Sequence, residues 1–274
     1  MEKKKIGIIG VGYVGGALQK WFSAKDGSAS DGEKQAYDVF VYDKFKNVGS
    51  ISEINKADIV FVAVPTPFHE DGRGYDDSAV RESLKNIEDG KVIIIKSTVI
   101  PGSTKKFQEA YSKKTILFNP EFLRAKTAEE DYLHPNIQVV GYASDMGKEI
   151  APNILELLPK ADVSEIITST EAEVLKYWLN SYLATRVIFA NEMYDLCSAL
   201  GDANYDVVKK CLISDPRIGK SHWEVHDDGY RGYGGACFPK DTKALLQKAK
   251  ELGVSLSLLK TADEVNKQLR SDSK

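Results

Sequence analysis

The chain is poor in cysteine and has no long apolar run. Its three cysteines, at 197, 211 and 237, form an odd set without C-x-x-C spacing. That excludes a disulfide framework and fits a reducing compartment. No apolar stretch approaches the roughly 20 residues a helix needs to cross a bilayer. The charged opening residues lead only into Ile6-Gly7-Ile8-Ile9, too short for the apolar core of a secretory leader. A cytoplasmic protein is expected. An excess of one charge is missing too: 37 basic and 40 acidic residues leave a formal charge of -3 over 274 residues. Neither a nucleic-acid surface nor a polybasic membrane contact is expected from that balance. A chain this long buries a substantial core and has room for two domains.

What is present begins at the N-terminus. Between an apolar run at 5–9 and the helical pattern Val14-Ala17-Leu18-Trp21-Phe22 lies Gly10-Val11-Gly12-Tyr13-Val14-Gly15. A G-x-G-x-x-G stretch alone is a weak signal, but between a strand and a helix it points to a dinucleotide site. Gly10 makes the turn, Gly12 admits the pyrophosphate, and Gly15 lets helix and strand pack, with the helix N-terminus facing the phosphates. Residues 23–36, polar and rich in glycine and serine, read as a flexible surface insertion. A second strand at 39–42 ends at Asp43, placed to accept both ribose hydroxyls and select NAD over NADP.

Further apolar runs at 58–64, 91–96 and 115–118 are nearly unbroken, as strands of a parallel sheet covered on both faces should be. Runs at 137–142 and 163–167 flank a helical pattern at 146–158. Thr66 falls at the carboxyl edge, where ligands bind in such sheets. The fold class is α/β: a Rossmann-like doubly wound parallel sheet over 1–169, followed by a long central helix and a small all-helical domain over 170–274.

From 171 to 200 there is no Pro or Gly, and the apolar positions recur at helical spacing. Thr170 with Glu173 reads as a capping box and Gly201 as the stop. A helix of that length connects domains or forms a dimer interface. Lys176 and Asn180 share one face of it. Lys176 is either a solvated charge or, beside a cofactor, a group that polarises a substrate hydroxyl. Further on, Gly234-Gly235-Ala236-Cys237-Phe238-Pro239-Lys240-Asp241 sets a thiol just before a helix opened by Pro239. The helix terminus and Lys240 favour the thiolate. Cys237 is therefore a candidate for covalent catalysis, against the bland reading of a buried free cysteine. His222, His226, Asp227 and Asp228 lie in a loop without a third convergent ligand, and no metal is expected.

Taken together the chain resembles the UDP-glucose/GDP-mannose dehydrogenase family. The resemblance rests on the glycine-rich stretch at 10–15, Val64-Pro65-Thr66-Pro67, Ser97-Thr98-Val99 and Asn119-Pro120-Glu121-Phe122-Leu123-Arg124. It continues through Glu173, Lys176 and Asn180, then Asn191-Glu192, Asp215-Pro216-Arg217-Ile218-Gly219 and the stretch at 234–241, in that order. It implies a four-electron oxidation of a nucleotide sugar, UDP-glucose foremost, that uses two NAD in succession and passes through a thioester on Cys237. By the same likeness Lys176, Asn180, Thr98 and ordered water stabilise the oxyanion, Asp241 orients that water, and Glu121 is the acid or base for water attack. Val11, Tyr13, Val14, Thr66, Thr98 and Lys240 join the glycines and Asp43 at the cofactor. Glu121, Phe122, Leu123, Lys176, Asn180 and Gly234 meet the sugar, and Arg217 reaches a neighbouring subunit's substrate site. A homodimer through the 170–200 helix is implied.

The chain departs from the family pattern in three places. Ala125 stands where a second carboxylate is usual, 225–228 lacks the usual Pro and Gly, and the sequence ends at Lys274 without the further α/β domain that closes over the nucleotide. Two other readings stay open. A single-step hydroxyacid dehydrogenase would share the Rossmann start and the lysine–asparagine helix but needs no thiol. A non-catalytic NAD-binding protein would need none of the chemistry.

Overall fold

The structure, a computed structural model, describes residues 3–24, 37–226 and 229–272. From residue 25 onward the expected surface insertion lies outside them, as do Asp227, Asp228 and Lys274. In chain order the strands are β1 (Lys5–Ile9), β2 (Asp38–Tyr42), β3 (Ile59–Val62), β4 (Phe68–His69), β5 (Gly74–Tyr75), β6 (Val92–Ile95), β7 (Thr115–Phe118), β8 (Ile137–Tyr142) and β9 (Val163–Thr168). The helices are α1 (Tyr13–Ser23), α2 (Ile51–Ile54), α3 (Ser78–Asn86), α4 (Ser103–Ala110), α5 (Ala128–Leu133), α6 (Asp145–Leu157), α7 (Ser169–Leu200), α8 (Tyr205–Leu212), α9 (Phe238–Glu251) and α10 (Ser257–Asp272). They fall into two compact units, Met1–His69 with Asp76–Lys176, and Glu70–Tyr75 with Tyr177–Lys274.

The first unit is built on a seven-stranded sheet in the order β2-β1-β3-β6-β7-β8-β9. Alternate residues of one strand serve opposite faces. Val60, Val62, Ile93, Ile95, Ile116 and Phe118 pack with Val80 and Leu84 of α3 and Phe107 of α4. Their neighbours Phe61, Ile94 and Leu117 pack with Leu18 and Phe22 of α1 and Ile154 and Leu157 of α6. Coverage on both faces is why these strands read as continuous apolar runs rather than alternating ones. The sheet is not wholly parallel. β8 runs against β7, with Leu117 opposite Tyr142 and Phe118 opposite Gly141. The link from β7 to β8 carries a 3-10 turn (Ala125–Thr127) and the short α5, and returns the chain alongside β7. β9 then resumes parallel pairing with β8.

α7 starts two residues earlier than its apolar pattern suggested, and its cap differs. Thr168, not Thr170, is the capping residue. Its hydroxyl accepts the Glu171 N–H at 3.3 Å, and the Glu171 carboxylate accepts the Thr168 N–H at 2.8 Å. Glu173 is drawn inward instead. Fully buried, its carboxylate accepts the N–H groups of Gly102 at 2.6 Å and Thr104 at 2.8 Å, and the Thr104 hydroxyl at 2.6 Å. It thus serves the open N-terminus of α4, where anionic charge is favoured. The 32 residues of α7 span roughly 48 Å at 1.5 Å per residue.

The second unit is helical. Ala184, Val187 and Ile188 of α7 pack with Tyr233 and with Ala262 of α10, and Ala190 packs with Trp223 and Val225. The segment 70–75 belongs to this unit: Glu70 pairs with Lys243 of α9, and the Tyr75 N–H donates to Gln247 at 3.1 Å. β4 and β5, two residues each, were too short to be anticipated.

Candidate active site

In the first unit the glycine-rich turn joins β1 to α1. Gly10 has φ +87°, and a Cβ on Gly15 would lie 1.8 Å from the Gly10 carbonyl oxygen, so no side chain fits at that strand–helix contact. Gly12 is the N-cap of α1. No side chain caps the helix, and nothing lies within 4 Å of where a Gly12 Cβ would be. Unpaired N–H groups facing an open approach are what a pyrophosphate requires. Val14 packs into the core below, while Tyr13 is exposed. At the end of β2 the Asp43 carboxylate accepts the Val11 N–H at 2.8 Å and the Phe45 and Lys46 N–H groups at 3.0 Å. Burial alone would raise its pKa. The hydrogen bonds from Val11, Lys46 and Phe45, with the Lys46 charge, carry it below the usual value. An ionised acceptor thus stands against the glycine turn, and the residues fit the adenosine end of NAD.

Along the carboxyl ends of the same sheet, Thr66 is buried and its hydroxyl donates to the Thr98 carbonyl at 2.8 Å. Glu121 follows β7. Its Oε1 accepts the N–H groups of Phe122 at 2.9 Å and Leu123 at 3.2 Å. Lys176, buried on α7, donates its ammonium to the Glu121 carbonyl oxygen and lies 5.5 Å from the centre of the Phe122 ring. The reading of Lys176 as a solvated charge is therefore wrong. The packing of α7 in this unit takes its stem inside, where a bare ammonium needs a partner. Leu123 packs into the core. One neighbour of Glu121 was not anticipated. Lys96, with a side chain only 1% exposed, lies 3.1 Å from the second carboxylate oxygen of Glu121, Oε2, and donates to Asn119 Oδ1 at 2.7 Å. A charged residue ending an apolar strand at the carboxyl edge was the available signal.

In the second unit Cys237 is exposed and is the N-cap of α9, with no side-chain cap and with Pro239 in the first turn. The buried free cysteine reading does not hold for it. One turn on, the Asp241 N–H donates to the Cys237 carbonyl at 2.9 Å. The Asp241 carboxylate is 1% exposed; it accepts the Asn180 amide at 2.6 Å and pairs with the Lys240 ammonium. Asn180, Asp241 and Lys240 thus form one network at the start of the thiol's helix.

The loop that delivers the thiol is gripped from two helices. Arg231 Nε donates to Asn191 Oδ1 at 3.0 Å, and its guanidinium pairs with Asp195 at 2.8 Å. Asn266 of α10 accepts the Tyr233 N–H at 2.7 Å and donates to the Tyr233 carbonyl at 3.0 Å. The Tyr233 hydroxyl reaches Asp263 at 3.3 Å, and burial followed by that charge pushes its pKa up. Gly235, two residues before the thiol, has φ +75°, a conformation other residues rarely take. A Cβ on Gly234 would meet the Arg270 guanidinium at 3.1 Å. Arg217 stands apart, 86% exposed and bonded to Asp215 at 2.9 Å. Asn191 was marked only through the Asn191-Glu192 match, and Arg231, Tyr233 and Asn266 carried no signal as site residues.

Residues 37–158 match the NAD binding domain of the UDP-glucose/GDP-mannose dehydrogenase family, and residues 170–268 match its central domain. The UDP-glucose 6-dehydrogenase of Haloferax volcanii is 30% identical over 96% of this chain, which spans 69% of that relative. That of Rickettsia felis is 35% identical over 84% of this chain, which here spans about half of the relative, 52%. Among solved structures, a UDP-glucose dehydrogenase from the hyperthermophilic archaeon Pyrobaculum islandicum superposes with a TM-score of 0.82 at 25% identity, over 97% of this chain and 68% of that one.

Proposed function

The chain belongs to the UDP-glucose/GDP-mannose dehydrogenase family, whose members are NAD-dependent oxidoreductases, and from that membership we propose that it oxidises the C6 alcohol of a nucleotide sugar, UDP-glucose foremost, to the uronic acid. We read residues 1–169 as the NAD-binding domain and 170–274 as the central catalytic and dimerisation domain. The single observation that carries the reading is Cys237. It is an exposed thiol at the uncapped N-terminus of α9, one turn before a buried aspartate already paired with Asn180.

NAD would supply the hydride acceptor, one molecule for each of the two oxidations, bound in succession. Gly10, Gly12 and Gly15 shape its phosphate cradle, Asp43 accepts its ribose hydroxyls, and Thr66, Thr98 and Lys240 complete its contacts. After the alcohol has become an aldehyde, the Cys237 sulfur adds to the carbonyl carbon. The oxygen becomes an oxyanion held by Lys176, Asn180 and Thr98, and the reactive aldehyde stays bound. Loss of the second hydride leaves a thioester on Cys237. Water attacks it, with Asp241 orienting and Glu121 exchanging the proton. The backbone of Phe122 and Leu123 and the bare Gly234 line the sugar.

Arg217 reaches the substrate site of a second copy. Its exposed side chain, held among the described residues by the neighbouring Asp215, can serve outside its own chain. Trp178, Tyr182, Phe189, Leu196 and Leu200, all exposed on α7, recur at helical spacing and supply the homodimer face. Among the described residues no helix is long and apolar enough to cross a membrane. Cytoplasmic localisation fits that.

Substitution of the thiol tests the reading. With Cys237→Ala we expect uronic acid formation to fall on the order of 10³-fold or more while NAD binding persists. Full conversion by that variant would rule out the thioester route.

A further inference from the structure

None of the proposed roles uses Lys96, yet it is among the most enclosed charges of the first unit, with its side chain 1% exposed at the carboxyl end of β6. A buried ammonium without partners costs several kcal/mol, so its surroundings report what it is for. Its Nζ donates to Asn119 Oδ1 at 2.7 Å. Asn119 is itself fixed, its amide donating to Gln138 Oε1 at 2.8 Å and to the Val139 carbonyl at 2.6 Å. On another side the Tyr132 ring lies 5.8 Å from the ammonium, with the Tyr132 hydroxyl buried and unpartnered. The remaining direction is Glu121, whose Oε2 sits 3.1 Å away and whose side chain, 14% exposed, is the member of the group that reaches outward. Oε1 is already taken by the Phe122 and Leu123 N–H groups. Stability gives no reason for a lysine here, because an apolar residue of equal volume generally does as well as a buried ion pair.

We propose that Lys96 is a positioning residue for thioester hydrolysis: its anchored ammonium fixes the Glu121 carboxylate, charged and in one orientation, so that the lone pairs left over hold the attacking water. The inference rests on the role proposed for Glu121. In that step a C–O bond forms at the acyl carbon as the C–S bond breaks. The proton that Glu121 accepts from water returns through solvent to the departing Cys237 sulfur, and no electrons are exchanged. Lys96 touches neither the acyl group nor the cofactor.

The test compares the unsubstituted chain with Lys96→Gln, Lys96→Met and Glu121→Gln, each given excess NAD and UDP-glucose, followed by acid quench and intact-mass measurement. Lys96→Gln retains length and hydrogen-bond donors and guards against collapse of the site, and unchanged NAD affinity reports a folded first unit. Both lysine variants should keep an initial burst of about two NADH per chain, because both oxidations precede hydrolysis. Their steady-state rate should fall roughly ten- to a hundredfold. A sugar-acyl adduct should accumulate on Cys237, as it does in Glu121→Gln. A merely structural lysine would lower burst and steady state together and leave no adduct, and that result overturns the proposal. So does a wild-type steady rate in Lys96→Gln. An adduct in Glu121→Gln without one in the lysine variants overturns the Lys96 role alone. Absence of NADH release from the unsubstituted chain, or of an adduct in Glu121→Gln, overturns the functional reading and this inference with it.

Discussion

The two units hold their functional groups in opposite ways. In the first, backbone chiefly grips side chain, with Lys96 adding a side-chain contact at Glu121. Asp43 is received by the N–H groups of Val11, Phe45 and Lys46, Glu121 by those of Phe122 and Leu123, and Glu173 by those of Gly102 and Thr104. In the second, side chains do the gripping. Asn180 and Lys240 hold Asp241, Asn191 and Asp195 hold Arg231, and Asn266 holds both polar groups of the Tyr233 backbone. The difference follows from architecture. Carboxyl ends of parallel strands and starts of helices leave N–H groups unpaired, and a carboxylate satisfies them. The helical unit offers its crossing loop no strand ends, so that loop is pinned by polar side chains reaching out of the helices.

That contrast can be broken experimentally, and the largest effect should come where several backbone donors converge. Asp43→Ala removes the acceptor of three N–H groups together with the proposed ribose contact. NAD affinity should fall roughly ten- to a hundredfold, with discrimination against NADP reduced, as calorimetric titration with both cofactors would report. Unchanged NAD affinity would mean that Asp43 does not hold the cofactor. In the second unit Asn266→Ala strands the Tyr233 N–H and carbonyl. It should cost about 1–3 kcal/mol in denaturant unfolding and change the alkylation rate of Cys237, whereas NAD affinity should stay the same. Loss of NAD binding instead would show that the two modes of support are not separable.

The pH dependence sharpens the same comparison. Asp43 and Asp131 have folded pKa values held below the usual one: Asp43 against the pull of burial by its backbone donors, Asp131 by the Arg124 guanidinium first. A depressed carboxylate contributes stability that is present above its unfolded pKa and is lost as pH falls through the folded value. Glu173 runs the other way. Burial outweighs its hydrogen bonds and raises its pKa, so its contribution is complete below the unfolded value and declines as pH rises. Acidification below about pH 4 should therefore lower the melting temperature, and Asp131→Asn should flatten that acid limb. The smallest effect belongs to Arg217, whose ion pair with Asp215 is open to solvent. Arg217→Ala should leave the melting temperature unchanged and lower only substrate turnover, through the contact proposed for it in a second copy.

Legibility divides along the same line. The strand runs, the glycine turn, Asp43 and the end of α7 at Gly201 were readable, because each depends on neighbouring residues: a continuous apolar run, a φ of +82°, a strand end. The reversal of β8 was not, since the hydrogen-bonding direction of a buried strand leaves no trace in its apolar content. The cap of α7 was misread because Thr170–Glu173 and Thr168–Glu171 have the same spacing. Only the packing of Glu173 against α4 separates them. Cys237 and Asp241 were visible in a compact stretch, whereas Asn266 and Arg231 act on segments tens of residues away or across a loop. Lys96 was missed because a lysine at a strand end ordinarily reads as a solvated terminus.

The central claim is a four-electron oxidation through Cys237, and the most direct measurement is NADH released per sugar consumed when the purified chain meets excess NAD and limiting UDP-glucose. The account predicts about two equivalents, with the uronic acid as the carbon product. About one equivalent, with an aldehyde or ketone product, would contradict it and return the chain to single-step dehydrogenation.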